Sequence, residues 1–180
     1  MGSIIGVVRE VYRCVPDTRI SESVPLLHCT TNGIIGDRHY GSTRSTGKRD
    51  IVKGFRVGTI IKNNRQCSIL SLEELARIAD NLGVPSVSGA DLGANIVVEG
   101  IHNLTKMPSR TVYCIGETLL SSAGENFPCR PGGMALAARY GREELAAYFS
   151  KRAMGLRGQV GFFRLEGTIT PGDEVRVVLP

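Results

Sequence analysis

The chain lacks tryptophan, and aromatic side chains make up only 6% of its 180 residues. No apolar run is long enough to span a bilayer, and charged residues interrupt the only apolar stretch within the first twenty residues. The shortage of aromatics argues against a base-stacking surface, and the missing run argues against a membrane span or signal peptide. We therefore expect a cytoplasmic protein that binds neither nucleic acid nor membranes.

Cysteines are few, and none is spaced for a zinc site or a disulfide framework. The five cysteines are odd in number and widely separated, without a CxxC pair or a Cys/His cluster. Basic side chains, in contrast, exceed acidic ones by five and are mainly arginine. Because the planar guanidinium binds phosphate and carboxylate through paired hydrogen bonds, we expect an anionic ligand.

Short strand-like segments separated by turn residues dominate the pattern, and 42% hydrophobic content suits one domain over residues 1–180. Strands are predicted over 4–12, 66–70, 95–99, 111–115, 118–122, 159–165 and 174–179. Helices are predicted over 72–82, 134–140 and 142–154. The first opens with a capping box, in which Ser71 and Glu74 each accept a hydrogen bond from the other's amide. The pattern predicts a mostly β fold: a barrel-like, strongly bent sheet with two or three short helices.

Cys129 is the candidate reactive residue. It lies in the segment ENFPCRPGG, residues 125–133, which has neither helical nor strand periodicity. Pro128 interrupts regular structure before it, and two glycines after it keep the chain flexible. The Arg130 cation beside the sulfur favours the thiolate, which is both the nucleophile and the metal-ligating form. The alternative interpretation is an incidental loop cysteine.

The segment GDRHYG, residues 36–41, is a candidate ligand loop inside a glycine- and charge-rich stretch over 33–54 that is predicted to be a long loop. Glycines let backbone amides approach an anion, although the spacing is not that of a Walker loop. Basic residues follow along the same stretch: Arg38, Lys48, Arg49, Lys53 and Arg56. His39 is a candidate proton donor or metal ligand, and a hydrogen-bonded structural histidine in a solvated loop is the alternative.

Five short motifs follow one another in a recognisable order. They are GxxGDRHYG (33–41), RQCSILS (65–71), LGANI (92–96), PC (128–129) and RGQVG (157–161), which continues to GDEV (172–175). In this order and spacing, over nearly its whole length, the chain resembles a stand-alone MOSC domain.

The resemblance implies a PK-type β-barrel that binds the molybdenum cofactor, molybdopterin, a pterin dithiolene bearing a phosphate. It assigns the catalytic and metal-ligating role to Cys129, which matches the family's proposed molybdenum ligand or persulfide carrier. The cofactor-binding residues that we expect are Gly36, Arg38, His39, Arg49, Gly93, Asn95, Arg130 and Gly158.

Each of these residues has an expected part. Arg38 and Arg49 hold the pterin phosphate, and Asn95 orients the pterin unless it caps backbone amides instead. Gly93 and Gly158 allow close approach of the backbone. Arg130 hydrogen-bonds the cofactor or favours the Cys129 thiolate.

Three functions fit the resemblance. The first is a reductase of N-hydroxylated compounds that depends on an external electron donor, since the chain has no flavin motif or iron-sulfur cysteine cluster. The second is a sulfur carrier that takes a persulfide on Cys129 from a cysteine desulfurase and delivers it to a metal centre or cofactor. The third is a non-catalytic cofactor-binding module. Pyridoxal phosphate is not expected to bind this chain.

Overall fold

The computed structural model describes residues 4–16 and 21–180, apart from the side chain of Arg49. These residues form thirteen β-strands and three α-helices. The strands are β1 Ile4–Cys14, β2 Ser21–Ser23, β3 Leu27–Thr30, β4 Gly33–Ile34, β5 Thr43–Ser45, β6 Ile60–Lys62, β7 Cys67–Ser71, β8 Ile96–Glu99, β9 Val112–Ile115, β10 Thr118–Glu125, β11 Gln159–Leu165, β12 Gly167–Ile169 and β13 Glu174–Val178. The helices are α1 Leu72–Leu82, α2 Arg130–Tyr140 and α3 Glu144–Arg152. Among the described residues, no helix has the length and apolar character that crossing a bilayer requires.

Seven strands close into a barrel. Around it the order is β1, β13, β9, β10, β11, β7 and β8, and β8 pairs again with β1. All neighbouring pairs are antiparallel except β7 and β8, which run parallel because α1 carries the chain back between them. The predicted mostly β barrel with a few short helices is confirmed.

Side chains alternate between the barrel interior and the helices packed outside it. Ile96 and Val98 of β8 lie in the interior cluster, whereas Val97 between them packs with the helices. Ile69 and Leu70 of β7 divide in the same way. This period of two is why consecutive residues of both strands are apolar: each strand is covered on both faces.

Two predicted local features are wrong in detail. Ser71 caps α1 by accepting from the Glu74 amide at 3.4 Å, but the Glu74 carboxylate does not return to Ser71. It accepts instead from the amide and hydroxyl of Thr105. The third predicted helix is also shorter than expected, because α3 begins only at Glu144.

The stretch predicted to be a long loop contains regular structure. Strands β12, β3 and β4 form a three-stranded sheet. Because β12 lies between β11 and β13 in the chain, these two barrel strands are not joined by the single turn that the sequence predicts. Strands β5 and β6 form a separate hairpin that encloses a 3-10 helix over Lys48–Lys53. Short strands bounded by glycines give too little periodicity to be recognised in the sequence.

Candidate functional site

A cavity of about 390 Å³ is lined by residues from the end of β1, the beginnings of β7 and β11, and the segments just before β11 and just after β10. The loop after β4, the segment before β8 and the first turn of α2 complete its wall. Five of the predicted site residues line it together: Arg38, His39, Gly93, Asn95 and Cys129. With Arg65 and Arg157, which also line it, the cavity brings together residues from all five motifs, although they are far apart in the sequence.

Cys129 is half-buried at the cavity wall and is the N-cap residue of α2. The segment predicted to be irregular is irregular over 126–129, but the prediction is wrong from Arg130 on, because α2 begins there and includes both glycines. The amide groups at a helix N-terminus and the positive end of its dipole favour a negatively charged group there. The backbone around Cys129 therefore favours the thiolate.

The two glycines of α2 permit close packing rather than flexibility. A Cβ atom on Gly132 would lie 2.8 Å from the Phe149 ring, and one on Gly133 would lie 2.9 Å from the Leu145 carbonyl oxygen. Only glycine at these positions lets α2 approach α3 so closely. The same contact holds the N-terminus of α2, and with it Cys129, against the cavity.

Two further cysteines line the cavity, Cys14 at the end of β1 and Cys67 at the start of β7. Both are buried, and burial raises the pKa of each thiol above its usual value. Cys129 is the half-buried thiol among these three. The position of Cys14 in the cavity was not predicted, because this cysteine belongs to none of the five motifs.

Asp37 anchors the ligand loop. Its buried carboxylate accepts from the Cys14 amide at 2.7 Å and from the Asn95 side-chain amide at 2.8 Å. It also accepts from the amide and the ring Nδ1 of His39, at 2.8 and 2.9 Å. Burial alone would raise the Asp37 pKa, but the hydrogen bonds from His39 and Cys14 outweigh it and hold the pKa below its usual value.

This pairing orients the His39 ring. The ionised Asp37 carboxylate can only accept a hydrogen bond, so His39 Nδ1 is the donor. In the neutral imidazole, the proton is therefore on Nδ1 and a lone pair is on Nε2. The His39 side chain is 42% exposed, in contrast to the fully buried Asp37 carboxylate. Nε2 is therefore suited to exchange a proton with a ligand or to bind a metal.

Asn95 serves the backbone, which is the alternative that the sequence left open. Its Oδ1 accepts from the Ser68 amide, and its Nδ2 donates to the Tyr12 carbonyl as well as to Asp37. These bonds tie β1, β7 and the ligand loop together behind the cavity wall. Its expected contact with a pterin stays a prediction.

Three arginines give the cavity a positive lining: Arg38, Arg65 and Arg157. Arg38 lies against the Cys14 thiol. Arg65 donates to Asn126 at 3.3 Å, and the buried Arg157 donates to the Leu92 carbonyl. Asp91 also lines the cavity, but it is paired with Arg139. The arrangement suits an anionic ligand.

Sequence reasoning missed the roles of Arg65 and Arg157. Both residues were present in the recognised motifs, where each is the first residue: RQCSILS and RGQVG. Each arginine lies two residues before a barrel strand, but nothing in the sequence places the two in one cavity. The run of basic residues after Arg38 is the stronger sequence pattern, yet Lys48, Lys53 and Arg56 do not line the cavity.

Three expected cofactor contacts, Gly36, Arg130 and Gly158, are not found in the cavity lining. Arg130 is exposed at the start of α2, and Gly36 lies beside the Arg13 side chain. Gly158, at a φ of +70°, approaches the backbone of Ile69 rather than a ligand, because a Cβ there would collide with the Ile69 carbonyl. The side chain of Arg49 lies outside the described residues.

Within the described ranges, no group of three or more histidine, cysteine, aspartate and glutamate side chains is arranged to hold a metal ion. The cavity thus offers single donor groups, the Cys129 sulfur and His39 Nε2, beside a cationic wall.

Comparison with known proteins places this arrangement in a family. The family model for the MOSC domain matches residues 37–176. The curated relative "Putative metal-sulfur cluster biosynthesis proteins YuaD" of Bacillus subtilis (strain 168) is 37% identical over 168 residues, which are 91% of this chain and 86% of that protein.

Solved structures agree with this. The crystal structure of the YuaD protein from Bacillus subtilis superimposes with a TM-score of 0.93 at 32% identity, over 98% of this chain and 97% of that one. YiiM from Geobacillus stearothermophilus shares the fold at a TM-score of 0.62 and 15% identity, over 97% of this chain and 75% of that one. YiiM from Escherichia coli shares the fold at a TM-score of 0.59 and 14% identity, over 100% of this chain and 71% of that one. The family-model match and the YuaD relationship together establish that this chain belongs to the MOSC domain family.

Proposed function

We propose that the chain binds the molybdenum cofactor in the cavity that Cys129 lines, with the Cys129 sulfur as the protein's metal ligand, and reduces N-hydroxylated compounds. The observation that carries the proposal is the position of Cys129: a half-buried cysteine at a helix N-terminus shares one cavity with Arg38, Arg65 and Arg157.

The residues fit this cofactor in size, charge and donor type. A cavity of about 390 Å³ lies in the usual range for small-molecule sites. Guanidinium groups suit the pterin phosphate, and a soft thiolate suits the metal. The dithiolene brings sulfur ligands of its own, so one cysteine is the contribution required from the protein.

When bound, the cofactor supplies two-electron chemistry at an oxygen-accepting metal. The chain's own residues bind and orient it: the arginines hold the phosphate end and the Cys129 sulfur holds the metal end. The overall reduction takes R–NH–OH, two electrons and two protons to R–NH₂ and water. His39, oriented by Asp37 through Nδ1, would take up a proton from solvent at Nε2 and pass it to the departing hydroxyl oxygen.

Metal and pterin analysis of the protein from a host that makes the cofactor tests the proposal. We expect near-stoichiometric molybdenum in the wild type and in Cys114→Ala, whose half-buried cysteine lies outside the cavity lining. Cys129→Ala should lose the metal, and Arg38→Gln should lose pterin phosphate affinity. Equal molybdenum in Cys129→Ala and wild type would refute the ligand role.

A sulfur carrier is the second candidate, and the name of the YuaD relative favours it, since it refers to metal-sulfur cluster biosynthesis. In this function, Cys129 attacks the persulfide of a cysteine desulfurase and carries away one sulfur atom as a new persulfide, leaving the donor cysteine as a thiol. Mass spectrometry after incubation with a desulfurase and cysteine would detect the added sulfur on the peptide that contains Cys129. Molybdenum binding without turnover of any N-hydroxylated compound would instead support the non-catalytic module.

A further inference from the structure

The β5–β6 hairpin, residues 43–62, carries the entire net charge of the protein, and we call it the basic arm. It contains six basic residues against one acidic residue, Asp50, which leaves sixteen of each sign in the rest of the chain. The basic residues are Arg44, Lys48, Arg49, Lys53, Arg56 and Lys62. Among the described strands, β5 and β6 pair only with each other.

The basic arm also exposes large apolar side chains to solvent. Val52 is 89% exposed and Ile60 is 66% exposed, and three more apolar residues of the arm are exposed beside them. Those three are Ile51, Phe55 and Val57. Single exposed apolar residues are ordinary, but five within twenty residues, surrounded by cations, mark an interaction surface.

The basic arm is held in shape by its own contacts. Arg44 donates two hydrogen bonds to the Asp50 carboxylate, at 2.6 and 2.9 Å, and the Gly47 amide donates a third. The hydrogen bond from Arg44 holds the Asp50 pKa well below its usual range. The surface is thus formed before any partner binds, which lowers the entropy cost of docking.

The base of the basic arm is joined to the cavity wall. The Asn63 amide donates to the Ser42 carbonyl at 2.9 Å, directly below the hairpin. The Asn63 side chain donates to the His39 carbonyl at 2.8 Å and the Gly41 carbonyl at 3.0 Å. Since His39 precedes the arm and Arg65 follows it, and both line the cavity, a partner on the arm sits beside the cavity mouth.

We propose that the basic arm is the docking surface for an acidic electron-donor protein, which thereby brings its redox group to the cavity. This inference rests on the proposed reductase function, because each turnover consumes two electrons that the chain itself does not supply. A cationic surface that also exposes large apolar side chains suits a transient complex with the acidic face of a partner.

Other occupants fit the basic arm less well. A second copy of this chain would place its own arm, with a net charge of +5, against the same net charge on the first arm. Nucleic acid binding through stacking requires several aromatic rings, and Phe55 is the one aromatic residue in the arm. A lipid surface suits the charge but delivers no electrons to the cavity.

Binding to a reduced, strongly acidic flavin-mononucleotide electron-transfer protein tests the proposal directly. Wild type is compared with Lys48→Glu/Lys53→Glu/Arg56→Glu and with a matched reversal elsewhere, Lys151→Glu/Arg164→Glu/Arg176→Glu, whose residues are also exposed. We expect the arm reversal to weaken binding at least about tenfold, and the matched reversal to weaken it much less. Val52→Ser/Val57→Ser should weaken binding while leaving its salt dependence unchanged.

Equal affinity of wild type and arm reversal would overturn the proposal. So would arm-dependent binding to phosphatidylglycerol vesicles or single-stranded DNA that is as tight as binding to the acidic protein, or dimerisation of the chain through the arm.

Turnover of the molybdenum-loaded protein with reduced methyl viologen separates this inference from the proposed function. A small-molecule donor needs no docking surface, so the arm reversal should keep viologen-driven reduction and lose protein-driven reduction. Loss of both rates would count against the arm as a docking device. No viologen-driven turnover in the wild type, with arm-dependent protein binding intact, would refute the reductase function and leave the docking surface standing.

Discussion

At the scale of single residues, the surroundings of each cysteine decide its chemistry. Burial raises the pKa of the Cys14, Cys29 and Cys67 thiols, to about 12 for Cys29, so little thiolate forms at neutral pH. Cys129 is half-buried at the N-terminus of α2, where a negative charge is favoured.

We expect iodoacetamide at neutral pH to alkylate Cys129 at least about tenfold faster than those three buried cysteines. Timed quenching followed by peptide mass spectrometry measures each rate separately. Denaturant provides the control, because unfolding should make the rates nearly equal. Labelling of Cys67 as fast as Cys129 in the folded protein would contradict the assignment of Cys129 as the reactive thiol.

The Asp37 carboxylate should make the folded state sensitive to acid. Its pKa is lower in the folded state than in the unfolded chain, so the stability it contributes is present above its ordinary pKa and is lost as the pH falls through the folded value. We expect Asp37→Asn to cost about 2 kcal/mol at neutral pH, because buried donors lose a charged acceptor. Urea unfolding should show this difference shrinking between about pH 5 and about pH 3. A difference independent of pH would mean that the charge of Asp37 does not matter.

At the scale of elements, packing between α2 and α3 positions the site. Gly133→Ala favours the helix by about 1 kcal/mol in propensity but places a Cβ 2.8 Å from the Cβ of Phe149. We expect a net loss of about 1–2 kcal/mol and a changed alkylation rate at Cys129, since α2 must shift. Met134→Ala, at an exposed position of the same helix, should change neither quantity. An unchanged rate in Gly133→Ala would show that α2 moves without carrying Cys129.

Thr105 joins three elements through one hydroxyl group. It donates to Glu74 of α1 and accepts from the Gly158 amide before β11, both at 2.7 Å. We expect Thr105→Val to cost about 2–4 kcal/mol, because it leaves a buried amide and a buried carboxylate short of partners. Thr105→Ser keeps the hydroxyl and should retain most of the stability in thermal unfolding. A loss in Thr105→Ser as large as that in Thr105→Val would show that keeping the hydroxyl group does not keep the stability, and would contradict the role assigned to its two hydrogen bonds.

Strand periodicity and the Ser71 cap were readable because their causes lie within a few residues of each other. The helix that begins at Arg130 was not, because two glycines and a proline disfavour a helix locally and only contact with α3 makes it stable. Likewise, Glu74 accepts from Thr105, thirty-one residues away, so its partner was not predictable from spacing.

At the scale of the whole molecule, the barrel forms the cavity, and the basic arm forms the surface that we propose for docking. The cavity is built where barrel strands end, so its geometry depends on closure of the sheet. Arg65, Arg157 and Cys14 could not be assigned from sequence, since only the barrel brings the ends of β1, β7 and β11 together. The motifs were sufficient to identify Cys129 and the ligand loop as the candidate site, whereas the other lining residues are known only from the barrel topology.

The basic arm should be dispensable for folding. The Asn63 amide already donates to the Ser42 carbonyl, which is the hydrogen bond that closes a two-residue hairpin. Replacing residues 43–62 with Asn-Gly should therefore change the free energy of unfolding by no more than about 1 kcal/mol, about the value of the lost contact between Lys62 and the Phe162 ring. The formal net charge should fall from +5 to zero, because six basic residues and one acidic residue leave together. Urea unfolding and cation-exchange retention measure these two effects on the same sample. A large loss of stability would mean that the arm supports the barrel. A stable, neutral barrel with an unchanged rate of Cys129 alkylation would mean that the protein's net positive charge serves interaction with a partner rather than folding.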